Sequence, residues 1–136
     1  TFYELERILD CQAQEVADMN LEKERKMERI DSKAAEQLIW SLLPNLGCDC
    51  MHGLKFPEGR TDICAITRTC ENGRSYGYDV VYVLWMKDGR LCHEEIERSK
   101  DHRYVLGVSV EQDSCLVVRM TGHVVHRIPL AQLGLE

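Results

Sequence analysis

The residues best suited to chemistry are the thiols and the imidazole of one short segment. Cys48, Cys50 and His52 alternate in the run Cys48-Asp49-Cys50-Met51-His52. Thiolates and imidazoles are ligands that zinc prefers in proteins, so this segment could bind a zinc ion. Structural zinc sites usually carry a second pair of ligands at similar spacing, and no such pair follows here. The competing interpretation is a loop with incidental thiols.

A second candidate is a row of polar side chains on one predicted strand. His93, Glu95 and Glu97 alternate, and alternate residues of a strand point to one face at about 6.6 Å per step. Such a row could share a cation or act as acid and base. Cys92 and Ile96, on the other face, are better core residues. The pattern therefore favours a solvated row over a site.

Aromatic side chains in the strand before that row suggest a third candidate. Tyr76, Tyr78 and Tyr82 share a face of a predicted strand and could line a small-molecule cavity. Aromatic residues also stabilise sheets in the absence of any ligand, which is the first expectation. The alternative is a pocket between helix and sheet, lined by Tyr78, Tyr82 and Trp85 and served by His93 or His102.

Motifs with a demanding spacing are absent from the sequence. We find no phosphate-binding glycine loop, no nucleophile elbow, no helical His-Glu-x-x-His and no kinase motif. These absences lower the expectation of an enzyme, particularly one that uses nucleotides.

Size and charge restrict the class of protein. The chain has 136 residues, 44% of them hydrophobic, which suits one domain with one core. Its net charge of -6 disfavours binding to nucleic acid, because phosphate contacts require excess positive charge. No apolar run approaches the roughly 18 residues that span a bilayer, and no secretory signal is visible. We therefore expect no membrane association.

Cysteine content points to a compartment. The seven cysteines are an odd number without the spacing of a disulfide framework. Cys64, Cys92 and Cys115 fall inside strand-like runs, where a free cysteine acts as a small hydrophobic side chain. Reduced thiols indicate a cytoplasmic protein.

The order of the predicted elements gives the fold class. Helix formers fill residues 2–30, and Asp31 or Ser32 can cap a second helix that ends before Pro44. Residues 44–60 are rich in Gly and Pro, as is typical of a loop. Strands are predicted over residues 62–70, 76–86, 91–98, 104–111, 114–120 and 123–128. The helical part thus covers residues 1–43 and the sheet residues 61–136.

Short links between the strands predict antiparallel hairpins, notably at Asn72-Gly73 and Asp88-Gly89. We expect an α+β fold in which N-terminal helices pack on a five- or six-stranded antiparallel β-meander, a curved sheet. Residues 80–86 are apolar on both faces, which suggests that a second copy covers one face. The leading hypothesis is a small cytoplasmic binding or assembly module that self-associates and contacts a protein partner. An enzyme or small-ligand carrier and a zinc-stabilised module are the alternatives.

Overall fold

The computed structural model describes residues 28–45, 49–72 and 75–136. This part of the chain forms an α-helix, seven β-strands and two short 3-10 helices. In chain order they are α1 (Ser32–Leu42), β1 (Cys50–Met51), β2 (Ile63–Asn72), β3 (Ser75–Lys87), β4 (Arg90–Ser99), β5 (Val105–Val110), β6 (Cys115–Met120), a 3-10 helix (Thr121–His123), β7 (Val124–Pro129) and a second 3-10 helix (Leu130–Leu133). The helix predicted over residues 2–30 lies outside the described residues, except for residues 28–30, which are not helical.

The strands form two antiparallel sheets. The four-stranded sheet has the order β1-β2-β3-β4, and the three-stranded sheet has the order β5-β6-β7. The predicted antiparallel pairing of neighbouring strands is confirmed, but the single continuous meander is wrong. The chain leaves the first sheet at Ser99 and begins the second at Val105.

Both faces of β3 are buried, because a layer of the same chain packs on each side of the four-stranded sheet. Val80, Tyr82 and Leu84 lie in a core against α1, whereas Val81 and Val83 lie in a core against the three-stranded sheet. The described part of the chain therefore has three layers, with the four-stranded sheet in the middle. The second face of β3, for which a second copy was suggested, is covered by the same chain. Self-association stays a prediction.

Helix α1 agrees with its prediction. The carboxylate of Asp31, at the N-cap, accepts a hydrogen bond from the backbone N–H of Lys33 over 3.3 Å. Ala35 and Ile39 are fully buried on the face that packs against the four-stranded sheet, and the helix ends two residues before Pro44. No helix in the described ranges is long and apolar enough to cross a membrane.

A buried arginine closes the carboxyl end of α1. Arg68 donates from Nη1 to the carbonyl oxygens of Ile39 and Leu43, over 3.0 and 3.1 Å. Its Nη2 lies 2.9 Å from the carboxylate of Asp49, and both side chains are fully buried. The guanidinium also lies 4.6 Å from the ring centre of Trp40. Arg68 thus satisfies carbonyls that a helix end leaves open and fixes the segment leading into β1.

The β3–β4 connection is a tight turn. Asp88 and Gly89 have φ angles of 53° and 76°, as a two-residue hairpin turn requires. The predicted hairpin at Asp88-Gly89 is confirmed.

Strand β4 contains a β-bulge that the sequence did not reveal. Glu97 lies opposite Val81 and Glu95 lies opposite Tyr82, so Ile96 is the extra residue. An extra residue breaks the alternation of side chains between the two faces.

The bulge separates the predicted His93 row. His93 and Glu95 remain on the face of the sheet that carries α1. Glu97 instead faces the three-stranded sheet, where its carboxylate lies 2.7 Å from Nε2 of His126. The expectation that His93, Glu95 and Glu97 share one face is therefore wrong.

Candidate functional site

A row of polar side chains crosses the four-stranded sheet. Cys50 lies opposite Thr69, Thr69 opposite Asp79, and Asp79 opposite Ser99. Directly opposed residues of antiparallel strands carry their side chains on the same face. Asp79 alternates with Val81, so the row lies on the face that the three-stranded sheet covers. On this face, the apolar core that contains Val81 is followed by side chains that form hydrogen bonds.

Asp79 is the buried anchor of this row. Its side chain is fully buried, yet the carboxylate is hydrogen-bonded on both oxygens. The hydroxyl of Thr69 donates to Oδ1 over 2.8 Å, and the backbone N–H of Arg103 donates to Oδ2 over 2.7 Å. Nδ1 of His102 lies 3.8 Å from the same Oδ2. Such donors are what make a buried carboxylate tolerable.

The hydrogen bonds around Thr69 fix the orientation of a second imidazole. Nε2 of His52 lies 3.1 Å from the Thr69 hydroxyl oxygen. Because the hydroxyl proton goes to the Asp79 carboxylate, Thr69 can only accept from His52. We therefore assign the ring proton of His52 to Nε2, on the strength of this network.

Tyr104 lies between the two imidazoles. Its ring centre is 4.3 Å from that of His52 and 5.3 Å from that of His102. The phenol oxygen is 3.1 Å from Nδ1 of His102. Desolvation by burial, followed by the negative charges of Asp79 and Cys50, raises the pKa of Tyr104 above its ordinary value. We call His52, His102 and Tyr104 the histidine–tyrosine cluster.

The loop that carries two of the three rings is held at its backbone. The Thr67 hydroxyl donates to the carbonyl of Arg103 over 2.7 Å. The Thr121 hydroxyl accepts from the N–H of Tyr104 over 3.0 Å and donates to the carbonyl of His102 over 2.8 Å. Residues 102–104 are thus attached to the four-stranded sheet and to the 3-10 helix that follows β6, which limits the motion of the rings they carry.

An apolar groove adjoins the cluster on the three-stranded sheet. It has a volume of about 410 Å³ and includes Leu106 and Val125, which are 66% and 52% exposed. The remaining lining residues are Arg119, Met120, Thr121, Gly122, His123 and Val124. Exposed aliphatic side chains grouped in a groove are typical of an interaction surface. We call this feature the apolar groove.

The predicted zinc ligands are only partly described. Cys48 lies outside the described residues, Cys50 is exposed, and His52 belongs to the histidine–tyrosine cluster. Among residues 28–45, 49–72 and 75–136, no three His, Cys, Asp or Glu side chains lie close enough to hold a metal ion. Zinc binding that includes Cys48 stays a prediction.

The residues of the predicted pocket are separated in space. Tyr82 is 3% exposed and packs with Tyr78 in the core against α1. Trp85 packs on the opposite face of the sheet. His93 is exposed on β4, while His102 lies in the cluster beside Asp79. Within the described residues, His52 from the zinc hypothesis and His102 from the pocket hypothesis both contact Tyr104 in the cluster.

Sequence reasoning missed Thr69, Asp79 and Tyr104. One indication was present, because Asp79 is an acidic residue directly before the apolar run of residues 80–86. A carboxylate in that position is either at the sheet end in water or buried with partners. The partners of Asp79 come from residues 10 and 24 positions away, and local patterns carry no information about them.

Comparisons of the chain with protein-family models, with curated proteins and with solved structures gave no match.

Proposed function

We propose that the chain is a protein-binding module whose partner contacts the histidine–tyrosine cluster. The observation that carries the proposal is the placement of three partly or fully exposed rings on a buried, fully hydrogen-bonded carboxylate. Rings of this kind combine a large contact area with a polar tip and few rotatable bonds. Binding therefore costs little side-chain entropy.

The surroundings of the cluster support an interface. A hot spot in an interface is usually a rigid aromatic group with apolar contacts close by. Here Tyr104 lies two residues before Leu106, which lines the apolar groove. The backbone N–H of Tyr104 donates to the hydroxyl of Thr121, which also lines the groove. A partner that covered both features would remove Leu106 and Val125 from water.

Selection of peptide ligands tests the proposal. The folded chain would be used to select binders from a random peptide library on phage, and affinities would be measured by calorimetry. We expect Tyr104→Ala and His102→Ala to weaken the selected peptides by about tenfold or more. His93→Ala is the matched control, because His93 is exposed on β4 outside the cluster. Peptides that bind the Tyr104→Ala protein as tightly as the parent would refute the proposal.

Acid–base catalysis is the second candidate, and one observation favours it. Two imidazoles lie close to one buried carboxylate. His52 is linked to Asp79 through the hydroxyl of Thr69, and Nδ1 of His102 lies 3.8 Å from Oδ2 of Asp79. A base oriented by a buried carboxylate is a recurrent arrangement in hydrolytic enzymes. A panel of activated esters and phosphodiesters would reveal turnover. Equal rates for the parent and His52→Gln proteins on every substrate would exclude this role for His52.

We further propose that the chain works in a reducing compartment, the cytoplasm being the simplest. The five described cysteines, Cys50, Cys64, Cys70, Cys92 and Cys115, form no disulfide. Burial raises the pKa of Cys64 to about 12, so this thiol behaves as a small hydrophobic side chain. A thiol count on protein purified without reductant and then denatured should give all seven thiols. A lower count would contradict the proposal.

A further inference from the structure

A chain of hydrogen bonds determines which nitrogen of His52 carries the ring proton. The Thr69 hydroxyl donates to the carboxylate of Asp79 over 2.8 Å, and its oxygen lies 3.1 Å from Nε2 of His52. A hydroxyl has one proton to give, so Thr69 accepts the proton of Nε2. A neutral imidazole carries a proton on one nitrogen only. Nδ1 of His52 therefore keeps its lone pair and is a hydrogen-bond acceptor.

This acceptor atom reaches the surface. His52 is partly exposed, and within the described part of the chain the bond to Thr69 is the only hydrogen bond of its ring. In the same residues, the buried side-chain nitrogens without a partner belong to Arg68, Trp85 and Arg103. Nδ1 of His52 is not one of them, so it is accessible to solvent and to a ligand.

The orientation of His52 is fixed on three sides. Its backbone N–H donates to the carbonyl of Thr67 over 2.9 Å. Its Nε2 is held by Thr69, and its ring centre lies 4.3 Å from that of Tyr104, with 49° between the ring planes. A side chain that is already held loses little rotational freedom when it binds a ligand. Nδ1 is thus an acceptor with a fixed direction inside the histidine–tyrosine cluster.

We propose that Nδ1 of His52 accepts a hydrogen bond from an amide N–H of the protein partner. This inference rests on the proposed function and specifies the group that the partner presents at one point of the cluster. A carbonyl or a carboxylate at that point would place its own lone pairs against that of Nδ1. Segments that present an acceptor there are therefore disfavoured.

Methylation of the amides of a selected peptide tests the inference. Each backbone amide, and each side-chain amide, is N-methylated in turn, and affinities are measured for the parent protein and for His52→Phe. The phenyl ring keeps an aromatic group in place but has no acceptor. We expect one methylation to weaken binding to the parent by about three- to tenfold more than binding to His52→Phe, the factor of one neutral hydrogen bond. Equal losses for the two proteins at every amide would overturn the inference.

The matched control is His93→Phe. His93 is exposed on β4, outside the cluster, so this variant should show the same loss on methylation as the parent. Thermal unfolding of both variants checks that the fold is kept.

The protonated nitrogen of His52 is measured without any partner. Nitrogen NMR of the folded parent protein, labelled with ¹⁵N in its imidazole rings, distinguishes a protonated nitrogen from an unprotonated one. We expect the proton of His52 on Nε2 and none on Nδ1. A proton on Nδ1 would overturn the inference, whether or not His52→Phe folds.

Two results separate the inference from the function on which it rests. If Tyr104→Ala weakens the selected peptides but no amide shows a loss that depends on His52, the amide donor is refuted and the binding module stands. If Tyr104→Ala leaves their affinity unchanged, the cluster is not the binding site and both proposals fall.

Discussion

The hydroxyl of Thr69 donates to the buried carboxylate of Asp79 over 2.8 Å. This bond joins the central strands of the four-stranded sheet at the point where the loop of residues 102–104 crosses them. It also leaves Thr69 free to accept from His52. The arrangement of the histidine–tyrosine cluster thus depends on one fully buried acid.

Asp79→Ala should destabilise the fold. The substitution leaves the Thr69 hydroxyl and the Arg103 N–H without their acceptor, and unsatisfied buried donors cost about 1–3 kcal/mol each. We expect the free energy of unfolding, measured in urea, to fall by about 2–4 kcal/mol. Asp101→Ala, at a side chain that is 85% exposed, is the control and should change it by less than about 0.5 kcal/mol. Equal effects would contradict the role given to Asp79.

Arg68→Met should lower the free energy of unfolding more than Asp79→Ala does. It leaves Asp49 as an unpaired buried charge and the carbonyls at the end of α1 without a donor. Breaking a buried ion pair on one side costs about 3–5 kcal/mol. We expect a loss of that size in urea unfolding, with part of it recovered when Asp49→Leu is added. No recovery in the double variant would show that Asp49 is not left as a destabilising charge.

Deprotonation of the Cys64 thiol should lower the free energy of unfolding at high pH. Burial raises its folded-state pKa from 9.0 to about 12, so the unfolded chain releases this proton first. The stability that depends on the neutral thiol is complete below about pH 9 and is lost as the pH rises towards 12. At about pH 10 the loss should be roughly 1.4 kcal/mol. In Cys64→Val, the decline in unfolding free energy from pH 8 to pH 10 should be smaller by that amount. Parallel curves for the two proteins would contradict the assignment.

The pair between Glu97 and His126 joins the two sheets. Its atoms are 2.7 Å apart, and the side chains are 23% and 32% exposed. A double-mutant cycle with alanine at both positions should give a coupling energy of about 0.5–1 kcal/mol. The control is a second cycle with alanine at His123 and His126, and its coupling energy should be near zero. A coupling indistinguishable from the control would mean that the bulge in β4 does not deliver Glu97 to the second sheet in solution.

Much of the local structure was predictable from the sequence. The cap at Asp31, the stop before Pro44 and the turn at Asp88-Gly89 are local features with a direct physical cause. The apolar run of residues 80–86 also predicted that β3 is covered on both sides. It did not say what covers the second face, because that depends on where β5 to β7 fold back.

The site was less predictable, because it depends on pairing between distant residues. His52 and His102 both contact Tyr104 because the pairing of β1 with β2 places His52 beside Thr69 and a hydrogen bond to Asp79 holds the loop after β4. The bulge at Ile96 leaves no mark in the pattern of residues 90–99, yet it moves Glu97 to the other face. Register and bulges are set by tertiary packing, which periodicity does not encode.

Two-dimensional NMR of the full chain, titrated with a selected peptide, would locate the bound peptide on the protein surface. We expect the largest backbone shifts on binding at residues 52, 102–106 and 119–125, around Tyr104 and the apolar groove. Shifts confined to α1 or to β4, with Tyr104 and its neighbours unmoved, would contradict the proposed function.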